Sequence, residues 1–190
     1  MELLRPGARK QLAGPVREAR LARLLNDHFR MVWRALRRLG VPASSVDDAA
    51  QEVFIVASKK LDAIEPSHER RFLYGVALRV AANARRARAA RPETPETQAL
   101  ERAPGSVPNP EVLLDRKRAR EQLDAALDAL PDELRTAFVL FELEGCSAPE
   151  VAALVGIPVG TATSRLRRAR VAFHAAVNEL RARLSSGGTL

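Results

Sequence analysis

The chain has 190 residues, of which 46% are hydrophobic and 4% aromatic. This length gives one domain of ordinary size or two small ones, and the apolar content excludes a disordered chain. Because Ala, Leu, Val and Arg dominate, the composition favours helices and argues against a β-sandwich or barrel. No apolar run approaches the roughly 18 residues of a membrane span, so no membrane insertion is predicted.

The net charge is +8, with 31 basic and 23 acidic residues, and it is uneven along the chain. Residues 1–95 carry 19 basic and 10 acidic side chains, while residues 161–190 carry six arginines and one glutamate. Two basic regions separated by a more acidic one indicate a polyanionic partner contacted at two places. The single cysteine excludes an internal disulfide. Since no signal peptide is recognised either, a cytoplasmic location is predicted.

Hydrophobic spacing predicts helices on both sides of a break. Residues 1–15 are interpreted as a mobile segment, and 16–91 as a first domain with three helices, the second starting at Ser44 or Ser45. Residues 92–111 hold five of the 12 prolines and are predicted to be a flexible linker. A second helical domain is expected over 112–184, followed by a tail over 185–190.

The most specific pattern lies over residues 147–170, where a short helix, a turn with Gly156 and a longer helix follow one another. Ser147 and Glu150 have the spacing of a capping box. This is the layout of a helix-turn-helix, whose second helix enters the major groove of DNA. The alternative is a two-helix corner with a solvated arginine-rich face. The candidate duplex-binding residues are Thr161, Thr163, Ser164, Arg165, Arg167, Arg168 and Arg170.

The third helix combines aromatic and basic side chains. Aromatic rings stack on unpaired bases while arginines follow the phosphates, so this helix is a candidate for binding single-stranded DNA. The alternative places Phe72 in the core and leaves the arginines in solvent. The candidate residues are Arg70, Arg71, Phe72, Tyr74, Arg79, Asn83, Arg85 and Arg86.

The second helix carries an acidic face, formed by Asp47, Asp48, Gln51 and Glu52. Such a face on a basic chain fits a protein partner better than DNA. Compensation of the helix dipole is the alternative, but it requires only the two aspartates. The three histidines are scattered and no catalytic or metal-binding motif is recognised. We therefore predict no enzyme activity, no metal, no cofactor and no small-molecule substrate.

These segments together resemble the extracytoplasmic-function (ECF) sigma factors of bacterial RNA polymerase. Residues 47–54, Asp-Asp-Ala-Ala-Gln-Glu-Val-Phe, are similar to the acidic signature of sigma region two. Residues 72–86 are similar to the end of the same region. Residues 129–138, 150–156 and 160–170 are similar to sigma region four. The resemblance implies an all-α protein in which two small domains, regions two and four, are joined without a folded region three.

The same resemblance implies partners for each surface. The acidic face with Phe54 would meet the β′ clamp helices of core RNA polymerase, and region four would lie near the β flap. The third helix, with the loop before it, would read the −10 promoter element as a single strand. Thr163, Ser164, Arg167 and Arg168 lie where family members contact the −35 duplex. An anti-sigma factor commonly holds members of the family inactive.

Two other hypotheses remain at this point. A helix-turn-helix needs no polymerase to enter a major groove, so the chain is alternatively a stand-alone transcriptional regulator. A third reading is a decoy that binds polymerase or an anti-sigma factor without starting transcription.

Overall fold

The computed structural model describes residues 14–90 and 110–186, and in these ranges the protein is helical without strands. The N-terminal unit contains α1 (Gly14–Arg38), α2 (Val46–Lys59) and α3 (Glu69–Ala89). The C-terminal unit contains α4 (Pro110–Asp128), α5 (Asp132–Phe138), α6 (Ala148–Val155) and α7 (Val159–Ser186). The all-α prediction is confirmed. The predicted mobile segment and linker lie outside the described residues, apart from positions 14–15 and 110–111.

Several helix ends differ from those predicted. Helix α1 begins at Gly14, two residues before the predicted start of the first domain, and α7 runs from Val159 through Ser186 into the predicted tail. Helix α4 begins at Pro110, inside the predicted linker, because proline is well tolerated in the first turn of a helix. Ser45 occupies the N-cap position of α2, but its side chain makes no capping hydrogen bond, since a short 3₁₀ turn leads into the helix.

The core of the N-terminal unit forms where the apolar stripes of its three helices meet. Leu36, Val53, Leu73 and Ala77 are each fully buried there. Helices α2 and α3 are connected by two 3₁₀ turns over 61–63 and 66–68. This arrangement leaves the polar faces of α2 and α3 on the outside of the unit. Both candidate surfaces predicted from the sequence lie on these faces, so both can be reached from solvent only if the faces point outward.

The C-terminal unit packs α5 and α7 across a pair of stacked aromatic rings, with the centroids of Phe138 and Phe173 4.4 Å apart. After Phe138 the chain continues as one π-helical turn, Val139–Leu143. Gly145, at φ +68°, ends this turn in the left-handed region that favours glycine. The turn brings Leu140 and Glu144 to the boundary with the N-terminal unit.

The two units pack directly on each other. Ala35 and Tyr74 of the N-terminal unit share one buried apolar cluster with Leu140, Cys146 and Val151 of the C-terminal unit. At Gly75 α3 lies close to α6, since a Cβ built there would be in ordinary contact with Leu154 Cδ2 at 3.7 Å. We call this arrangement the closed form. It places the first helix of the helix-turn-helix against the helix that carries the single-strand candidates.

Candidate nucleic-acid interface

The acidic face of α2 is open to solvent. Asp47, Asp48, Gln51 and Glu52 are all exposed, while the opposite side of the helix is buried in the N-terminal unit. The indole Nε1 of Trp33 donates a hydrogen bond of 2.8 Å to Asp47 Oδ1 and fixes that carboxylate. The other three polar groups remain available for a partner with basic side chains.

Apolar side chains border this acidic face. Phe29 of α1 is 42% exposed and Ile55 of α2 is 45% exposed. Phe54, a sequence candidate for polymerase contact, is only 5% exposed and lies under Phe29, with their ring centroids 6.1 Å apart. Phe54 therefore supports the surface from below in the closed form. Phe29 and Ile55, which the sequence analysis did not select, present the apolar part.

Five of the eight sequence candidates on α3 are exposed, and four of them, Arg71, Arg79, Asn83 and Arg86, lie on its outer face. Arg86 Nη2 donates to Asn83 Oδ1 at 2.6 Å, and Arg79 Nε donates to the Gly75 carbonyl at 3.1 Å. These contacts stay within the helix and hold the side chains on one basic strip. A nucleic acid strand could reach this strip in the closed form.

Of the remaining candidates on α3, Phe72, Tyr74 and Arg85 are partly or wholly covered, while Arg70 is exposed but bonded to Tyr74. Phe72 is half-buried against the core. Tyr74 is 1% exposed, and its hydroxyl donates to Glu144 Oε2 at 2.7 Å. Arg70 donates to the Tyr74 hydroxyl, and Arg85 Nε forms an ion pair of 3.0 Å with Asp132 Oδ2. In the closed form Tyr74 therefore cannot stack on a base, and its predicted contact with DNA requires the units to separate.

The helix-turn-helix is built by strong local signals. The carboxylate of Glu150 accepts hydrogen bonds of 2.7 Å from both the backbone N–H and the hydroxyl of Ser147 at the start of α6. These bonds lower the pKa of Glu150 below its ordinary value. Gly156 ends α6 in the left-handed conformation, at φ +75°, and turns the chain into α7. The predicted capping box and turn glycine thus have the expected local roles.

The candidate residues on α7 separate into two groups. Arg165 is ion-paired with Glu133 at 2.8 Å, and Arg170 is ion-paired with Glu142 at 2.6 Å while lying over the ring of Phe141. Both arginines are thereby tied to the C-terminal unit. Thr163, Ser164, Arg167 and Arg168 are exposed, and within the described ranges neither Arg167 nor Arg168 has an ion-pair partner. Thr161 is half-buried at the start of this surface.

Sequence reasoning missed the polar residues that join the two units. Arg38 Nη1 donates to Glu144 Oε1 at 2.8 Å, although 106 positions separate these residues in the chain. Arg135 is 6% exposed and donates to the Arg38 carbonyl at 2.6 Å. Periodicity identifies neighbours three or four residues apart, so no short-range pattern pairs these groups. Glu144, buried to 5% exposure beside a turn glycine, is the least expected of them.

Within 14–90 and 110–186, no group of three or more His, Cys, Asp or Glu side chains is arranged to hold a metal ion. Cys146 lies in the cluster between the units, where burial raises the pKa of its thiol. Among the helices described, none combines the length and the apolar character needed to cross a membrane.

Two family models match the chain in the predicted order. Residues 24–91 match Sigma-70 region 2, and residues 120–173 match Sigma-70, region 4. The first match includes α2 and α3 with their candidate surfaces. The second includes the helix-turn-helix and the exposed part of α7.

Curated relatives match over both units. The ECF RNA polymerase sigma factor SigE of Mycolicibacterium smegmatis is 33% identical over 147 residues, which is 77% of this chain and 57% of that protein. The ECF RNA polymerase sigma-E factor of Escherichia coli is 36% identical over 148 residues, covering 74% of this chain and 78% of that protein. The alignment thus spans little more than half of the first relative and most of the second.

Two solved structures share the fold. One is CnrH in complex with the cytosolic domain of CnrY, with a TM-score of 0.61 and 24% identity over 84% of this chain and 88% of that one. The other is the sigma factor RpoE in complex with the anti-sigma factor NepR from Bartonella quintana. Its TM-score is 0.61 with 20% identity, covering 83% of this chain and 96% of that one.

Proposed function

The chain belongs to the family of ECF RNA polymerase sigma factors, and from this premise we propose that it binds core RNA polymerase and directs it to specific promoters. Sigma factors are initiation factors and not enzymes. The chain's own task is therefore to provide surfaces that position polymerase and DNA. Its place of action is with the polymerase in the cytoplasm.

The observation that carries this proposal is the exposed acidic face of α2 on a chain of net charge +8. A protein that only bound DNA would gain nothing from three clustered carboxylates, which repel phosphates. Exposed Phe29 and Ile55 beside this face add the apolar area that a protein interface requires. The hypothesis of a stand-alone regulator gives this surface no binding partner.

The two basic surfaces, on α7 and on α3, recognise different elements of the promoter. Exposed Thr163, Ser164, Arg167 and Arg168 on α7 suit base edges and phosphates of the −35 duplex. The exposed strip of Arg71, Arg79, Asn83 and Arg86 on α3 suits the −10 strand, which is captured as it becomes single-stranded. Duplex binding positions the complex and strand binding stabilises the melted state.

An anti-sigma factor belongs to the proposal as a further partner. RpoE, one of the proteins that share the fold, was crystallised with the anti-sigma factor NepR. A partner of this kind would act by covering the surfaces that polymerase or DNA requires. The decoy reading differs from the proposal in one respect, since a decoy would bind polymerase without producing transcripts.

The proposed function is tested by run-off transcription on genomic fragments, using purified core RNA polymerase with and without the chain. Discrete new start sites that depend on the chain are the expected result. Tight duplex binding by the chain alone, with neither transcripts nor co-elution with core polymerase, would instead establish the stand-alone regulator. Co-elution without transcripts on any fragment would establish the decoy.

Once the promoter is known, Arg168→Ala tests the duplex surface. If Arg168 donates to a base edge, its loss should cost about 1–3 kcal/mol of binding and should act at one base pair of the −35 element. The measurement is holoenzyme affinity for a set of single-base promoter variants. Arg181→Ala on the same helix, exposed but far from the turn, is the matched control. An equal loss on every promoter variant would show that Arg168 contacts a phosphate.

A further inference from the structure

Three hydrogen-bond donors of the N-terminal unit converge on the end of the π-helical turn. Arg38 Nη1 donates to Glu144 Oε1 at 2.8 Å, and the Tyr74 hydroxyl donates to Glu144 Oε2 at 2.7 Å. Arg70 donates to the Tyr74 hydroxyl from 3.3 Å and to the Glu144 backbone carbonyl. The carboxylate of Glu144 is therefore held at both oxygens by groups from α1 and α3.

The site is built for an anion. Arg38 and Arg70 supply positive charge, and the Arg70 guanidinium lies 5.4 Å from the centroid of the Tyr74 ring. Burial and the bond to Glu144 raise the pKa of Tyr74, so its hydroxyl remains a donor at neutral pH. A phosphodiester group, like a carboxylate, presents two acceptor oxygens and one negative charge, and these donors satisfy either group.

We propose that Arg38, Arg70 and Tyr74 form an anion-binding site for a phosphodiester group of the promoter strand, which Glu144 occupies in the closed form. This inference rests on the proposed function and adds a ligand subsite to it. Arg38 becomes a DNA contact that sequence reasoning did not select. The C-terminal unit thereby competes with DNA for the N-terminal unit, and strand binding is coupled to separation of the units.

Other contacts across the same boundary follow the same charge pattern. Arg37 is ion-paired with Asp124 at 3.1 Å, and Arg85 is ion-paired with Asp132 at 3.0 Å. In each pair the N-terminal unit supplies the arginine and the C-terminal unit supplies the acid. A phosphate of a DNA strand can take the place of the acid in each ion pair. At a purely apolar boundary the phosphates would find no arginine to pair with.

The competition is tested with the full-length chain and a fluorescein-labelled single-stranded DNA of mixed sequence, by fluorescence anisotropy without polymerase. Glu144→Gln keeps the shape of the side chain and removes its charge, so Arg38 and Tyr74 lose the carboxylate to which they donate. We expect this variant to bind the strand about tenfold to a hundredfold more tightly than the unsubstituted chain, the equivalent of one charge-assisted hydrogen bond. Glu142→Gln is the control, since it changes net charge equally, but Glu142 pairs with Arg170 of its own unit and, among the described residues, with no group of the N-terminal unit.

Adding Arg38→Ala to Glu144→Gln should remove most of the gain, because a phosphate would then lose one of its donors. Equal affinities of the Glu144 and Glu142 variants would overturn the inference, as would a gain that survives the loss of Arg38. If Glu144→Gln does not fold, Asp132→Asn replaces it, because Asp132 is 63% exposed and its loss removes the acid that pairs with Arg85 across the boundary. In that case a gain over Glu142→Gln supports the competition and no gain overturns it. Since no polymerase is present, the result is independent of the run-off assay.

Discussion

The double substitution Asp48→Arg with Glu52→Arg is expected to abolish stable binding to core RNA polymerase while leaving the helical fold intact. Both side chains are exposed on α2, so neither change disturbs the core. Each one replaces an acceptor with a cation on a face that is proposed to meet basic groups. Like charges placed opposite each other at an interface cost several kcal/mol, which is more than a hundredfold in affinity.

This expectation is checked by titrating labelled chain with core polymerase and by size-exclusion co-elution. Asp27→Arg with Asp115→Arg is the matched control, because it changes net charge by the same amount at exposed positions on α1 and α4. The control should bind as the unsubstituted chain does. Asp48 lies in the first turn of α2, so the test variant should lose up to about 1 kcal/mol of stability from the helix dipole. If the Asp48 and Glu52 variant binds core polymerase with unchanged affinity, the acidic face is not the contact.

Local signals account for the parts of the fold that the sequence predicts well. The capping bonds of Ser147 and Glu150 join residues three apart, and Gly156 adopts the left-handed conformation that ends α6. Such interactions join residues within one or two helical turns, so they can be predicted from a single sequence. For the same reason the order of helices in both units follows directly from hydrophobic spacing.

The relation between the units depends on residues far apart in the chain. Tyr74 was predicted to face DNA because it lies among arginines, yet it is buried and bonded to a residue 70 positions away. Leu73 and Tyr74 are adjacent and both buried, because one packs within the N-terminal unit and the other against the C-terminal unit. Periodicity shows which side of a helix faces its own core, but it contains no information about a second covered side.

On α7, too, sequence periodicity does not show which candidate residues are engaged by other parts of the fold. The sequence does not distinguish the four arginines of this helix, Arg165, Arg167, Arg168 and Arg170. In the structure, Glu133 pairs with the first of them and Glu142 with the last. Those acids belong to α5 and the π-helical turn, whose placement depends on tertiary packing. The structure thus reduces the predicted basic cluster to two arginines without partners among the described residues, and it does so without changing the predicted helix.

The largest loss of stability from a single methyl group is expected at Gly40→Ala, at the boundary between the units. Gly40 has φ +96°, and a Cβ there would lie 3.0 Å from Arg135 Nη1 and 3.1 Å from Arg85 Cδ. These two arginines donate to the carbonyls of Arg38 and Leu39 at the end of α1, so neither can move without breaking a hydrogen bond. Backbone strain and a displaced charged donor together should lower the free energy of unfolding by about 2–4 kcal/mol.

Urea denaturation of Gly40→Ala and Gly14→Ala separates this contact from a general effect of alanine. A Cβ at Gly14, in the first turn of α1, would have no atom within 4 Å, so this control should change stability by less than about 0.5 kcal/mol. Equal urea midpoints for the two variants would mean that the Arg135 side chain can move away from the added methyl group at no cost. Its 6% exposure argues against such freedom. Because Arg85 also pairs with Asp132 of the other unit, Gly40→Ala should weaken the closed form as well as the N-terminal unit. Its affinity for single-stranded DNA should therefore rise as its stability falls, whereas in Gly14→Ala both should remain unchanged.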